Sequence, residues 1–135
     1  MVGDIITQFG ASWGLVASDT QQTTNTNVKY TTFTIRNCTY TSSNGTITII
    51  KSGRYYISYS FMVVGTGIHE FRFKKNGVNV RGSRSYLSAM AGTYKTLGTS
   101  IILDLVATDN LVVFINLGLV WRDDSGTFNG HLIGN

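Results

Sequence analysis

The longest regular pattern in the chain is an alternation of residue types between positions 54 and 63. Successive side chains of a strand point to opposite faces, so this run places one apolar stripe on a single face of a strand. The stripe consists of Tyr55, Ile57, Tyr59, Phe61 and Val63. No segment of useful length has a helical repeat, and a period of two recurs through most of the chain. The sequence therefore predicts an all-β protein.

Further short runs with strand character are separated by turn signals roughly every 8 to 12 residues. Asn76-Gly77 is one such signal, because Asn-Gly tolerates positive φ. In the run 70–74, we expect Phe71 and Phe73 to point into the core and the charged residues between them, including Glu70, to point outward. Eight to ten strands of this kind predict a β-sandwich or jelly roll.

The length and composition indicate one domain. The chain has 135 residues and a mass of 14.8 kDa, which suits a single hydrophobic core. Hydrophobic residues make up 42% of it, and neither an internal repeat nor a linker divides it. We therefore expect one jelly-roll domain over 1–135, with 1–11 as a weakly structured leader or edge strand.

Charge and hydropathy argue against two classes of partner. Only 13% of residues are charged, and the net charge of +4 is scattered rather than gathered into the dense basic stripe of nucleic-acid readers. No apolar run approaches the roughly 18 to 20 residues of a membrane helix, and the N-terminus lacks the pattern of a signal peptide. We expect neither nucleic-acid binding nor membrane insertion.

The sequence offers no evident catalytic or cofactor site. Cys38, His69 and His131 each lack partners at the spacing that metal ligation or nucleophilic catalysis requires. Asp123 and Asp124 are suitable calcium ligands by chemistry, but adjacent carboxylates normally point apart, and a solvated turn is the favoured explanation. We therefore expect a protein that is not an enzyme and has no cofactor or metal, with calcium at Asp123-Asp124 left open.

The recognition candidates are aromatic and basic residues in two polar stretches. Residues 81–98 are rich in Gly and Ser, and we interpret them as a long loop on a rigid scaffold, where binding residues often lie. An ordinary strand pair with a Gly-rich connection is the alternative. Tyr and Arg are enriched at binding hot spots. The ligand-contact candidates are Arg81, Arg84, Tyr86, Tyr94, Trp121 and Arg122.

Two segments are apolar on both faces of their predicted strands, namely 101–106 and 111–115. Tyr56, Met62 and Val64 add apolar groups to the second face of the long strand. Large exposed apolar patches usually mark an interface, so this pattern predicts oligomerisation. Thicker local packing under loops is the alternative.

Four elements in order resemble the globular head of the first complement component and its tumour-necrosis-factor-like relatives. They are "GTITIIKSGRYYISYSF", "FRFKKNGVNV", "SIILDLVATDNLVVFI" and "TFNGHLI", although Thr108-Asp109 replaces the family's usual Gly-Asp turn. The resemblance covers about 28–133 and implies a jelly roll of about ten strands that forms a homotrimer. The core or trimer candidates are Tyr55, Ile57, Tyr59, Phe61, Leu103, Leu105, Val113, Phe128 and Leu132.

The N-terminal run "SWGLVASDTQQTTNTNVKYT" is similar instead to stretches of bacteriophage and prophage structural proteins. Together the two resemblances imply a trimeric virion protein, part of a fibre or a head decoration. Its expected partners are other virion proteins and a carbohydrate or protein of the host surface. The alternatives are a bacterial surface or spore-coat trimer of the same fold, and a carbohydrate-active jelly-roll enzyme.

Overall fold

The computed structural model describes residues 10–17, 21–90, 92–121 and 126–134. Most of them belong to two facing antiparallel sheets. The first sheet contains β1 (Ser12–Ala17), β4 (Tyr30–Arg36), β7 (Gly53–Val64), β11 (Tyr94–Leu105) and β14 (Thr127–Gly134). The second contains β5 (Cys38–Thr41), β6 (Thr46–Ile49), β8 (Gly67–Lys75), β10 (Ser85–Ala89) and β12 (Asn110–Leu117).

Four strands of two residues each complete the described part of the chain. The pairs β3 (Thr26–Asn27) with β12 and β9 (Val78–Asn79) with β8 extend the second sheet, while β2 (Gln22–Thr23) and β13 (Leu119–Val120) form a small ribbon. The strand orders are β11-β7-β14-β1-β4 and β10-β8-β12-β6-β5. This is a ten-stranded jelly roll with short additions, as the sequence predicts. No helix in the described ranges is long and apolar enough to cross a membrane.

The predicted stripe of β7 forms the centre of the core. Tyr59 stacks on Phe61 with ring centroids 5.6 Å apart and meets Phe71 and Phe73 edge-on at 6.2 and 5.0 Å. Since the two phenylalanines come from β8, these contacts join the two sheets. Aromatic pairs in such geometries contribute about 0.5 to 1.5 kcal/mol beyond the area that they bury.

All nine core or trimer candidates lie on strand faces that point toward the interior. Leu103 and Leu132 are half-buried and pack against the core. The fully buried ones are Tyr55, Ile57, Tyr59, Phe61, Leu105, Val113 and Phe128. Their side chains are therefore directed into the core of the single chain.

The turn between β11 and β12 has Thr108 at the position where the resemblance leads one to expect glycine. Thr108 adopts φ of 78°, a conformation that glycine takes more readily. Asp109 holds the turn, because its carboxylate accepts hydrogen bonds from the Val106 backbone N–H and the Asn76 side-chain amide, both at 2.9 Å. The strand pairing beyond the turn is intact.

Residues 81–98 do not form one long loop; they contain the pair of strands with a Gly-rich connection that the sequence allows as the alternative. Residues 85–89 form β10, and β11 already begins at Tyr94. In β10 the inward positions include Ser85 and Ala89, which are too small or too polar to produce an apolar stripe. Gly98 likewise interrupts the pattern of β11, although it pairs with Ser60 in the sheet. The connection between these strands is only four residues long, from 90 to 93.

Candidate functional site

The structure divides the ligand-contact candidates between the two sheets. Arg84 and Tyr86 lie together at the second sheet, with the guanidinium carbon 4.9 Å from the centre of the tyrosine ring. Tyr94, on the first sheet, forms an edge contact with Trp121, with ring centroids 5.9 Å apart. Arg81 is exposed just before β10. The remaining candidates, Arg122 and the possible calcium ligands at positions 123–124, lie outside the described residues.

The burial of Glu70 differs most from what the sequence predicts. Its side chain is on the outward face of β8, as the alternation predicts, but the residue is only 4% exposed. Its Oε1 accepts a hydrogen bond from Arg72 Nη2 at 2.8 Å and also pairs with Arg84. Its Oε2 accepts one from the Asn116 amide at 2.7 Å. The strand β12 bulges at Asn116, and these three polar side chains cover the carboxylate.

These contacts control the ionisation of Glu70. Burial alone would raise the pKa of the carboxyl, but the hydrogen bond from Asn116 and the charges of Arg84 and Arg72 outweigh it and lower the pKa. Glu70 is therefore a carboxylate at neutral pH and fixes two guanidinium groups at the surface of the second sheet.

The lowered pKa predicts a loss of stability in acid. The contribution of Glu70 is complete above its unfolded pKa of about 4.3 and disappears as pH falls through the lower folded value. We expect Glu70→Gln to reduce the unfolding free energy by about 1.5 to 3 kcal/mol at pH 6, where it breaks charged hydrogen bonds. Urea titrations between pH 6 and 3 should show this difference shrinking. A difference that is constant with pH would contradict the assignment.

A second cation on this surface is held by an aromatic ring. Lys74, two residues beyond Arg72 on β8, places its Nζ 3.7 Å from the centre of the Phe114 ring. The register pairs Phe114 with Arg72 and Val112 with Lys74, so these side chains share the outward side of the sheet. We call this surface the basic face and define it by five residues: Arg72, Lys74, Arg84, Tyr86 and Phe114.

The outward side of the first sheet has a different character, and we call it the flat face. Its middle row crosses all five strands with short, uncharged side chains: Ser100, Ser58, Asn129, Gly14 and Thr34. The adjacent row, toward the N-terminal end of β7, has larger side chains. Its residues are Ile102, Tyr56, His131, Ser12 and Arg36. The row on the other side of the middle row again has small side chains. Its residues are Gly98, Ser60, Thr127, Val16 and Thr32.

The larger row gives the flat face an apolar border. Tyr56 is 39% exposed and Ile102 is 56% exposed, and the ring of Tyr56 lies 5.7 Å from that of His131. The ion pair between Arg54 and Asp104 at 3.1 Å stands beyond this row. A solvated sheet normally presents charged side chains, so three rows with so few charges indicate a surface suited to contact with protein.

The expected doubly apolar strands do not form one patch, which corrects the sequence-based interpretation. Ile102 of β11 lies on the flat face, whereas the outward residues of 111–115 belong to the second sheet. There Val112 is buried, and Phe114 is covered by Lys74. For β12, the alternative of thicker local packing is therefore the better description.

The candidates that the sequence did not reveal are small or polar. Ser58 and Ser60 alternate with the core stripe of β7, and Ser100 lies opposite Ser58 on β11. Outward serines without Lys or Glu are a usable signal for a covered face. Asn116 gave no such signal, because its role depends on a bulge. Within the described ranges, no group of three or more His, Cys, Asp or Glu residues is placed to hold a metal ion.

Comparison with known proteins identifies the fold. No protein-family model and no curated protein sequence matches the chain. Among solved structures, the globular domain of zebrafish complement 1qA matches with a TM-score of 0.75 and 16% identity, over 93% of this chain and 99% of that one. Eiger TNF from S. frugiperda matches with a TM-score of 0.72 and 11% identity, over 93% and 94%. The chain has the jelly-roll fold of these proteins.

Proposed function

We propose that the chain is a non-enzymatic domain that assembles as a homotrimer through the flat face and acts as a binding or structural module of a virion. The flat face is the observation on which the trimer depends. Short side chains in its middle row allow close backbone approach of a second copy, and the row of Tyr56 and Ile102 supplies apolar area for burial.

The fold comparisons support this assignment at the level of architecture. The sequence resemblance to the complement and tumour-necrosis-factor-like families implies a trimer built on the same fold. In that arrangement the first sheet turns toward the partner copies. The second sheet, on the opposite side of the sandwich, remains outside and carries the basic face.

The trimer is tested by the mass of the protein in solution. Light scattering at micromolar concentration should give three times 14.8 kDa. The apolar border and the scarcity of charge make a stable monomer unexpected, because the patch would remain exposed. A monodisperse monomer would overturn the proposal, and a dimer would require a different use of the flat face.

The virion setting rests on the likeness of residues 12–31 to bacteriophage structural proteins. Its test is fractionation of the source culture, followed by detection of the chain by mass spectrometry. We expect the chain in purified particles. Its recovery only in cell-wall or spore-coat fractions would replace the virion by a bacterial surface.

A further inference from the structure

The basic face combines charge, exposure and fixed geometry. Arg84 has a side chain that is 57% exposed and engages Glu70 through Nε. Tyr86, half-exposed beside it, supports the guanidinium plane. Lys74 is supported in the same way by Phe114. Lys74 and Arg84 thus each rest on an aromatic ring.

The charges of this face do not cancel. Arg72 and Arg84 pair with the single carboxylate of Glu70, and Lys74 adds a third cation to the same face. Among the described residues, the other two carboxylates are Asp104 on the first sheet and Asp109 in the turn after β11. The basic face is therefore complementary to an anion.

The contacts that hold the cations of the basic face in place also lower the entropic cost of binding a ligand. Glu70 fixes two guanidinium groups before any ligand arrives, and the segment leading to Arg84 is anchored below. There the Ser83 hydroxyl donates to the Val80 carbonyl at 2.6 Å, and Tyr59 donates from the core to the Ser83 carbonyl at 3.3 Å. Side chains that are ordered in advance lose less freedom on binding.

We propose that the basic face binds an acidic polysaccharide through the carboxylates of its sugars. The planar fork of an arginine matches a carboxylate in two parallel hydrogen bonds. Exposed hydroxyl and amide side chains on the same side of the sheet, Ser88 of β10 and Asn79 of β9, offer partners for sugar hydroxyls. This inference deepens the proposed function, because it names the class of polymer that the trimer would recognise.

The rings argue against a single-stranded nucleic acid. Such ligands are usually held by aromatic side chains on which bases stack. Here Arg84 already occupies one face of Tyr86, and Lys74 covers Phe114. The rings therefore hold cations and leave recognition to charge and hydrogen bonds. Three copies in a trimer would strengthen a weak single contact by about 10² to 10⁴ through effective concentration.

The experiment measures binding of the intact protein to polygalacturonate by titration calorimetry at low salt, with neutral dextran as the comparison polymer. We expect binding to polygalacturonate only, weakened by salt. The double variant Lys74→Gln, Arg84→Gln should bind at least about tenfold more weakly, the equivalent of roughly 1.4 kcal/mol. The matched control is Arg54→Gln, since Arg54 is another exposed arginine paired with a carboxylate. It should bind within about twofold of wild type.

Each other outcome has a defined meaning, given that melting temperature and mass are measured first. Equal weakening by Arg54→Gln, or no binding by the wild type, would overturn the basic face as a site. Tighter binding to polyphosphate or to a DNA oligonucleotide than to polygalacturonate would overturn the assignment to carboxylate sugars. A monomer that binds through Arg84 would uphold the site and overturn the trimer. A trimer that binds none of the polymers would uphold the trimer and overturn the site.

Discussion

Replacing Tyr59 with alanine should reduce the free energy of unfolding by about 3 to 5 kcal/mol, the usual range for removal of a buried aromatic side chain. The residue is 2% exposed, and its ring joins Phe61 to the two phenylalanines of β8. Its hydroxyl contacts Ser83 and Ser85 below the basic face. Alanine would therefore leave both a cavity and unpaired polar groups. The melting temperature should fall by about 10 to 15 °C, measured at equal protein concentration.

The variant Tyr59→Phe separates the effect of the cavity from the effect of the unpaired polar groups. It keeps the ring and removes only the hydroxyl, so we expect a loss of about 1 kcal/mol. Burial raises the pKa of Tyr59 to about 12, so the group stays protonated and able to donate over the whole working range of pH. A melting temperature of Tyr59→Ala within a few degrees of wild type would contradict the central position of this ring.

The core could be predicted because it depends on a pattern that repeats along single strands. The stripe from Tyr55 to Val63 fixes the direction of β7, and Phe71 and Phe73 do the same for β8. A shift of one residue would turn either set toward solvent, so the alternation determines register as well as secondary structure. Gly and Ser in β10 and β11 weaken that signal, so the sequence of 81–98 is also compatible with a loop.

The environment of Glu70 could not be predicted in the same way. Alternation places the residue outward, and an outward carboxylate is normally exposed. Its burial depends on Arg84, fourteen residues away and just before β10, and on Asn116, which a bulge in β12 brings into reach. Such contacts between distant parts of the chain depend on the order of strands in the sheet and on local irregularities. Neither can be predicted from the alternation of residue types along the sequence.

The two faces also explain why a low content of charge suits this chain. The core stripe of β7 alternates with serines on the flat face, so one strand carries both the interior and the proposed interface. On the second sheet, Glu70 orders two guanidinium groups instead of leaving them mobile. The same separation predicts that a charge added to the flat face acts on assembly, and one added to the second sheet does not.

Asn129→Lys should therefore convert the trimer into a monomer. Asn129 lies in the central strand of the first sheet, between Ser58 and Gly14, and is exposed in the single chain. A lysine there is tolerated by the monomer, but three copies would bring three ammonium groups into the interface, at a cost of several kcal/mol for each buried charge. Light scattering should give 14.8 kDa, one third of the mass expected for the wild type.

The control is Thr39→Lys, which adds the same charge to an exposed position of β5 in the second sheet. It should leave the mass unchanged, because that sheet faces away from the proposed interface. Circular dichroism should show strands in both variants, so that loss of assembly is distinguished from loss of folding. A trimer that persists in Asn129→Lys while Thr39→Lys dissociates would move the interface from the first sheet to the second.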